Sequence, residues 1–426
     1  MEKLYYPQWN ETLYREVLPS GLTVFVVPRP GFTKKLAYFI TDFGAIHTEF
    51  SIDGKAFSVP AGVAHFLEHK MFDLPNRDVS EEFAALGAYP NAFTGYDLTA
   101  YYFSCTQNFE SCLRLLLEFV STPYFTKESV DKEQGIIGQE IGMSRDNPDH
   151  RIFDILMEAM YPNHPIRTPI LGSRESIDRI TPEVLHACHK AFYRPDNMLL
   201  CVVGDVDPQQ VAAIAGEMLP RKQDLQVERT ERWEEAMVPQ KAYVEETMEV
   251  ALPMFQLGFK CEDIGFGEEA IRQEAIGDLA CEALFGESSR LYMQLYEDGI
   301  IDGSFGGGFE TVDGMALVTV SGDCEEPELV KSALLEEVER LMQEGIAQED
   351  FLRMKRSALG RRLRDLDSFD STCFRLCAYH FSGYDYFRFP EIYDSITRED
   401  ILNFLQRVIT DERCCMAIIK KEASAL

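Results

Sequence analysis

The sequence predicts an α+β protein made of two similar halves. Two observations carry this. Apolar runs of strand length alternate with helix-like segments, and the same order of segments occurs twice along the chain. A highly charged stretch separates the two series. A chain of 426 residues is long enough for two or three domains, each with its own core.

The elements follow in order. In the first half, strand-like runs at 22–27 and 37–40 precede a helix-like segment at 64–71. A strand-like run at 98–105, helices at 109–120 and 182–192 and a strand at 198–203 complete it. In the second half, a strand at 255–259 precedes a helix at 271–284. A strand at 315–321, helices at 328–343 and 398–408 and a strand at 415–419 follow. This repeated order is what a duplication would leave. The expected division is 1–219, a charged linker at 220–238 that includes a short helical piece, and 239–426.

Composition narrows the function classes. Hydrophobic residues make up 46% and charged residues 26%, which excludes disorder and fibrous repeats. The formal charge is 41 − 71 = −30, a poor match for nucleic acid or anionic lipid. It suits basic partners or substrates, and solubility is its plainer explanation. No run of about 18 apolar residues offers a membrane span. The N-terminal MEKLYYPQWNETLYREVL lacks the apolar core of a secretory signal. The 11 cysteines are odd in number and form no CxxC pair, so they read as reduced thiols of a cytoplasmic protein.

The chemistry concentrates in Ala64-His65-Phe66-Leu67-Glu68-His69-Lys70-Met71. On a helix, His65 and His69 stand one turn apart on one face, and Glu68 shares that face. Two such imidazoles can hold one zinc ion. A carboxylate between them can take the proton of the water that the metal activates. The order His-x-x-Glu-His reverses the commoner zinc motif. A catalytic zinc site needs a third protein ligand. The segment 127–146 reads as a long helix with Glu133 and Glu140 two turns apart on one stripe. Alone, that stripe is an ordinary solvated face. Beside the motif, Glu140 becomes the candidate third ligand. Glu133 becomes a supporting or auxiliary acid–base group.

His65-Phe66-Leu67-Glu68-His69, followed by Glu133 and Glu140, resembles the pitrilysin family, the inverted-motif zinc metallopeptidases that include insulysin and the mitochondrial processing peptidase. Further segments are similar in the same order: Leu18-Pro19-Ser20-Gly21-Leu22, Gly87 to Thr94, Tyr193 to Met198 with Val203-Gly204-Asp205-Val206, and Phe285 to Leu291. The resemblance implies two homologous halves, each a mostly antiparallel sheet packed by helices, together forming half of a clamshell peptidase chamber. It implies one zinc per chain held by His65, His69 and Glu140. It makes Glu68 the general base with Glu133 as a second catalytic carboxylate, and it assigns Asn91, Ala92 and Phe93 to a strand on which substrate peptide adds. Local sequence alone favours a turn at Pro90-Asn91. The second half is expected to lack a metal site.

One departure stands out. Self-sufficient members carry an Arg and a Tyr seven residues apart in the second half, and the matching positions here fall near Tyr296 and Gly303. Arg290 belongs to the preceding turn and reads as structural. The expectation is therefore a zinc-bearing subunit of a bacterial-type heterodimer, whose similar-sized homologous partner supplies Arg and Tyr. A homodimer is the other arrangement the resemblance allows. Two further readings compete: a zinc enzyme of small molecules such as the ribosylhomocysteine lyase, which is much shorter, and a non-catalytic scaffold of the same fold. His186 and His189, on the 182–192 segment, read as structural.

Overall fold

The computed structural model describes residues 1–222, 224–230 and 233–422. Gln223, Glu231 and Arg232, within the expected linker, lie outside them. Helices and strands are mixed in the α+β manner expected.

The first sheet has seven strands. Their order is Glu2–Tyr6, Glu11–Val17, Thr23–Pro28, Met198–Gly204, Lys35–Thr41, Thr99–Cys105 and Ala88–Thr94. Every pairing is antiparallel except Met198–Gly204 with Thr23–Pro28. The central strands are apolar on both faces, and Met198–Gly204 is buried throughout. Helices Val63–Met71, Phe109–Ser121, Pro182–Phe192 and Pro208–Met218 contribute to one core over this sheet. Each fully buried Phe or Leu there contributes roughly 1.5–3 kcal/mol.

The second sheet has five strands, in the order Tyr243–Met248, Cys414–Lys421, Met254–Lys260, Met315–Asp323 and Gly306–Val312. Its single parallel pair among the described residues joins Tyr243–Met248 to Cys414–Lys421, as Thr23–Pro28 joins Met198–Gly204 in the first sheet. The five strands from Thr23–Pro28 to Ala88–Thr94 in the first sheet have this same order and direction. The weak rhythm of the sequence thus corresponds to one topology used twice.

The two compact units interleave along the chain. The first comprises Met1–Gly142, Pro169–Glu231 and Asp365–Phe381; the second comprises Met143–Thr168, Arg232–Arg364 and Ser382–Leu426. Within the first unit, helix Phe369–Phe381 packs on strands Met198–Gly204 and Lys35–Thr41. Within the second, helix Pro148–Met160 packs on the strands at 414–421 and 254–260. Gly258 makes room for the latter, because a Cβ there would lie 2.4 Å from Met160 Sδ.

Sequence suggested a short helix in the charged stretch, but strand Val227–Arg229 forms there, antiparallel to Glu49–Ile52. Alternation of Val, Glu and Arg suits a half-exposed edge strand. Arg229 then reaches Asp42 Oδ2 at 2.8 Å. All eleven cysteines are free and buried. No described helix is long and apolar enough to cross a membrane.

Candidate metal centre

The motif helix Val63–Met71 begins at Gly62, whose φ of 88° lies in the left-handed region. A Cβ at Gly62 would stand 2.6 Å from the Leu171 carbonyl oxygen, so the helix start is pressed against that loop. Phe66, Leu67 and Met71 are fully buried and anchor the helix in the core. The other face carries His65, Glu68 and His69. The rings of His65 and His69 are 4.6 Å apart between centroids.

Helix Lys127–Arg145 brings the carboxylates to this face. Buried Val130, Ile137 and Ile141 seat it. Glu140 Oε1 lies 3.6 Å from His65 Nε2, and Glu140 Oε2 lies 3.8 Å from His69 Nε2. The three residues place one ligand atom each within 4.8 Å of one another. They form the single three-residue His/Cys/Asp/Glu group of this kind among the described residues. Ligands about 2.0–2.1 Å from a tetrahedral zinc stand roughly 3.4 Å apart, close to the separations found here. The donor set, two imidazole nitrogens and one carboxylate, is one that catalytic zinc takes. Glu140 has 43% of its side chain exposed, which leaves the site open on one side.

The remaining groups are also in place. Glu133, two turns before Glu140, sits with Oε1 3.0 Å from His69 Nδ1. With the carboxylate ionised, Nδ1 is the donor, which leaves Nε2, on the Glu140 side, as the nitrogen available to a metal. Glu68 accepts a hydrogen bond of 2.6 Å from Thr94 Oγ1. His65 Nδ1 is buried without a hydrogen-bond partner, so the ring's polar function runs through Nε2.

Electrostatics follow from burial and neighbours. Burial, with the nearby His69, pushes His65 down to about 3 and keeps its ring neutral. The Glu133 hydrogen bond raises His69. Burial pulls Glu133 up, but the His69 hydrogen bond and the charges of His69, Lys70 and Lys132 outweigh it and hold the carboxyl low. Burial raises Glu68 against the opposing Thr94 hydrogen bond.

Asn91, Ala92 and Phe93 lie in strand Ala88–Thr94, at the end of the first sheet, and no strand among the described residues pairs with its outer edge. Their register is Asn91 to Tyr102, Ala92 to Tyr101 and Phe93 to Ala100. The segment is a strand rather than the turn that Pro90-Asn91 favours locally, because pairing with Thr99–Cys105 decides it. Motif helix and strand pack together, and the strand's last residue is the Thr94 that holds Glu68. Phe93 packs near Tyr38, Tyr102 and Phe374. Asn91 donates to the Tyr102 hydroxyl at 3.0 Å.

Thr94 and Lys70 were not singled out from sequence. Both lie within the segments named above, but Glu68, which Thr94 holds, and Glu133, which Lys70 meets, are distant from them in the chain. In the second half, Tyr296 is exposed and stacks on Tyr292, and Gly303 faces open space. Ser289 caps the helix that begins at Arg290. His189 is buried and bonds the Val120 carbonyl, and His186 packs against Phe125.

Known proteins are similar to this chain in sequence and fold. Residues 58–174 match the family described as Insulinase (Peptidase family M16), and residues 179–358 match the Peptidase M16 inactive domain. The chain is 39% identical over 418 residues to the uncharacterized zinc protease YmfH of Bacillus subtilis, covering 96% of each. It is similar to a putative M16-like peptidase from Alicyclobacillus acidocaldarius, with a TM-score of 0.93, 31% identity and coverage of 98% of this chain and 100% of that one. Pitrilysin shares the fold with a TM-score of 0.77 and 16% identity, over 98% of this chain and 46% of pitrilysin. On sequence and fold together, the chain belongs to peptidase family M16, the insulinase and pitrilysin family.

Proposed function

We propose that this chain is a zinc endopeptidase of short unfolded peptides and the zinc-bearing subunit of a heterodimer. The observation that carries the reading is the convergence of His65, His69 and Glu140 within 4.8 Å, with Glu68 on the same helix face. His65, His69 and Glu140 would hold the ion. When bound, zinc acts as a Lewis acid toward the scissile carbonyl and makes water a nucleophile near neutral pH.

The chain's own residues do the rest. Glu68 accepts the proton of the attacking water and returns it to the leaving amine. Thr94 holds Glu68 Oε2, which leaves Oε1 for that proton. Glu133 fixes the tautomer of His69. A peptide adding along the open edge of Ala88–Thr94 would use backbone hydrogen bonds, which bring affinity with little sequence preference. That mode admits extended chains and excludes folded ones.

The partner is inferred from Tyr296 and Gly303, which stand where Arg and Tyr help bind substrate in self-sufficient members. A similar-sized homologous chain would supply that pair. A scaffold role would leave no reason to keep His65, Glu68, His69, Glu133 and Glu140 together.

The test is peptide cleavage by the purified chain, with zinc content and Glu68→Gln as control. One zinc per chain, and cleavage that requires a partner and disappears in Glu68→Gln, is the expected result. Full activity of the chain alone would refute the heterodimer. A chain that retains no zinc would refute the peptidase.

A further inference from the structure

Lys70 directly follows His69, yet only 1% of its side chain is exposed. An ammonium taken out of water costs several kcal/mol unless it is paired, so its partners matter. Three oxygens surround Nζ. Asp73 Oδ2 is the closest, the Ser129 carbonyl is at 3.5 Å and Glu133 Oε2 is at 3.8 Å. Ser129 and Glu133 both belong to helix Lys127–Arg145. Lys70 therefore links the motif helix to the first turns of the helix that carries Glu140.

The geometry divides the Glu133 carboxylate between two cations or donors. Oε1 faces His69 Nδ1 at 3.0 Å, and Oε2 faces Lys70 Nζ. Only 14% of the Glu133 side chain is exposed, so water screens this pairing weakly. Without Lys70, this carboxylate would have the His69 ring as its main partner and would be free to rotate away from it.

We infer that Lys70 is a positioning residue for the metal centre: it orients the Glu133 carboxylate, which in turn aims His69 Nε2 at the ion. The inference rests on the zinc-site reading above. Partners that orient a ligating imidazole are worth roughly 10–100-fold in metal affinity when removed. Lys70 acts one contact further out, so the lower end of that range is the expectation.

The experiment is zinc titration of the full-length, zinc-stripped chain against a chromogenic chelator. Wild type, Lys70→Met, Lys70→Arg, Glu133→Gln and the Lys70→Met/Glu133→Gln double variant are compared, with thermal melting of each zinc-free protein alongside. Lys70→Met should weaken zinc roughly ten-fold. Lys70→Arg, which keeps the charge, should recover most of it. In the Glu133→Gln background, Lys70→Met should add nothing, because the path through Glu133 is already cut. Unchanged zinc affinity in Lys70→Met would overturn the inference while leaving the zinc site standing. So would a lowered melting temperature alone, or an additive effect on Glu133→Gln. Failure of wild type to bind zinc would overturn both.

Discussion

Thr94 Oγ1 donates a hydrogen bond of 2.6 Å to Glu68 Oε2, joining two residues 26 apart in sequence. The proposed substrate strand thus ends on the proposed general base. Any shift of the strand toward or away from the motif helix moves the donor that fixes Glu68.

Thr94→Val is therefore expected to lower kcat and leave zinc content unchanged. A hydrogen bond to a charged group is worth about 1.5–3 kcal/mol, which corresponds to a loss of roughly ten-fold or more. Thr94→Ser should retain most activity, since its hydroxyl can make the same bond. Steady-state kinetics and zinc analysis on the three proteins check this. Equal kcat in wild type and Thr94→Val would show that the contact has no catalytic consequence.

How much of this was legible in the sequence depended on range. His65 and His69, and Glu133 and Glu140, declared themselves through helical spacing, which is local. Helices Pro182–Phe192 and Arg398–Val408 begin where expected because Thr181 and Thr397 cap their N-termini within three residues. The edge strand at 88–94 resisted local reading because Pro90 signals a turn, and only its pairing with 99–105 overrides that. The strand Val227–Arg229 was hidden in charges because one of its faces looks outward. The exchange of helices Pro148–Met160 and Phe369–Phe381 left no local mark, since which sheet an amphipathic helix covers is decided by tertiary packing.

Gly62 is expected to tolerate no side chain. Its φ of 88° is left-handed, which costs an L-residue roughly 1–2 kcal/mol, and a Cβ would press on the Leu171 carbonyl. Gly62→Ala should destabilise the protein by about 2 kcal/mol or more and reduce zinc retention with it, because the motif helix starts there. Thermal unfolding and zinc analysis provide the check. A melting temperature equal to that of wild type would contradict this account of the helix start.

Acid should weaken the fold before most carboxylates titrate. Burial pushes His189 down to about 4, against its hydrogen bond to Val120, with His186 also lowering it. Phe125 and Tyr193 are its ring neighbours. In the unfolded chain the same ring takes up a proton near 6.5. Between those values the unfolded state binds more protons, so stability falls as pH drops from about 6.5 toward 4. His164 and His380, each pushed to about 4 chiefly by burial, act in the same direction. His189 alone accounts for up to about 3 kcal/mol. His189→Gln should flatten the fall of melting temperature between pH 6.5 and 4; an unchanged slope would exclude His189 as a source.

The second half answers the first in charge. In the first half, His65 and His69, four residues apart on helix Val63–Met71, face Glu140 on helix Lys127–Arg145. On the corresponding helices of the second half, Glu274 and Asp278, also four apart on Glu268–Phe285, face Arg362 on Gln348–Asp365. Arg362 Nη2 is 2.9 Å from Glu274 and 3.3 Å from Asp278, and Nε donates to the Tyr393 hydroxyl at 3.1 Å. A guanidinium built into the chain is here the cation between the two helices. Removing it by Arg362→Met would leave two carboxylates facing each other beside an apolar side chain. Breaking a buried pair costs about 3–5 kcal/mol, and the partial exposure of Asp278 reduces this to about 2–4. Arg362→Lys should recover only part of the loss, because a single ammonium cannot span both acids as the planar fork does. Zinc content should stay at the wild-type level throughout. Chemical unfolding of the three proteins decides it: a loss in Arg362→Met below about 0.5 kcal/mol would mean that the cluster does not hold these helices together.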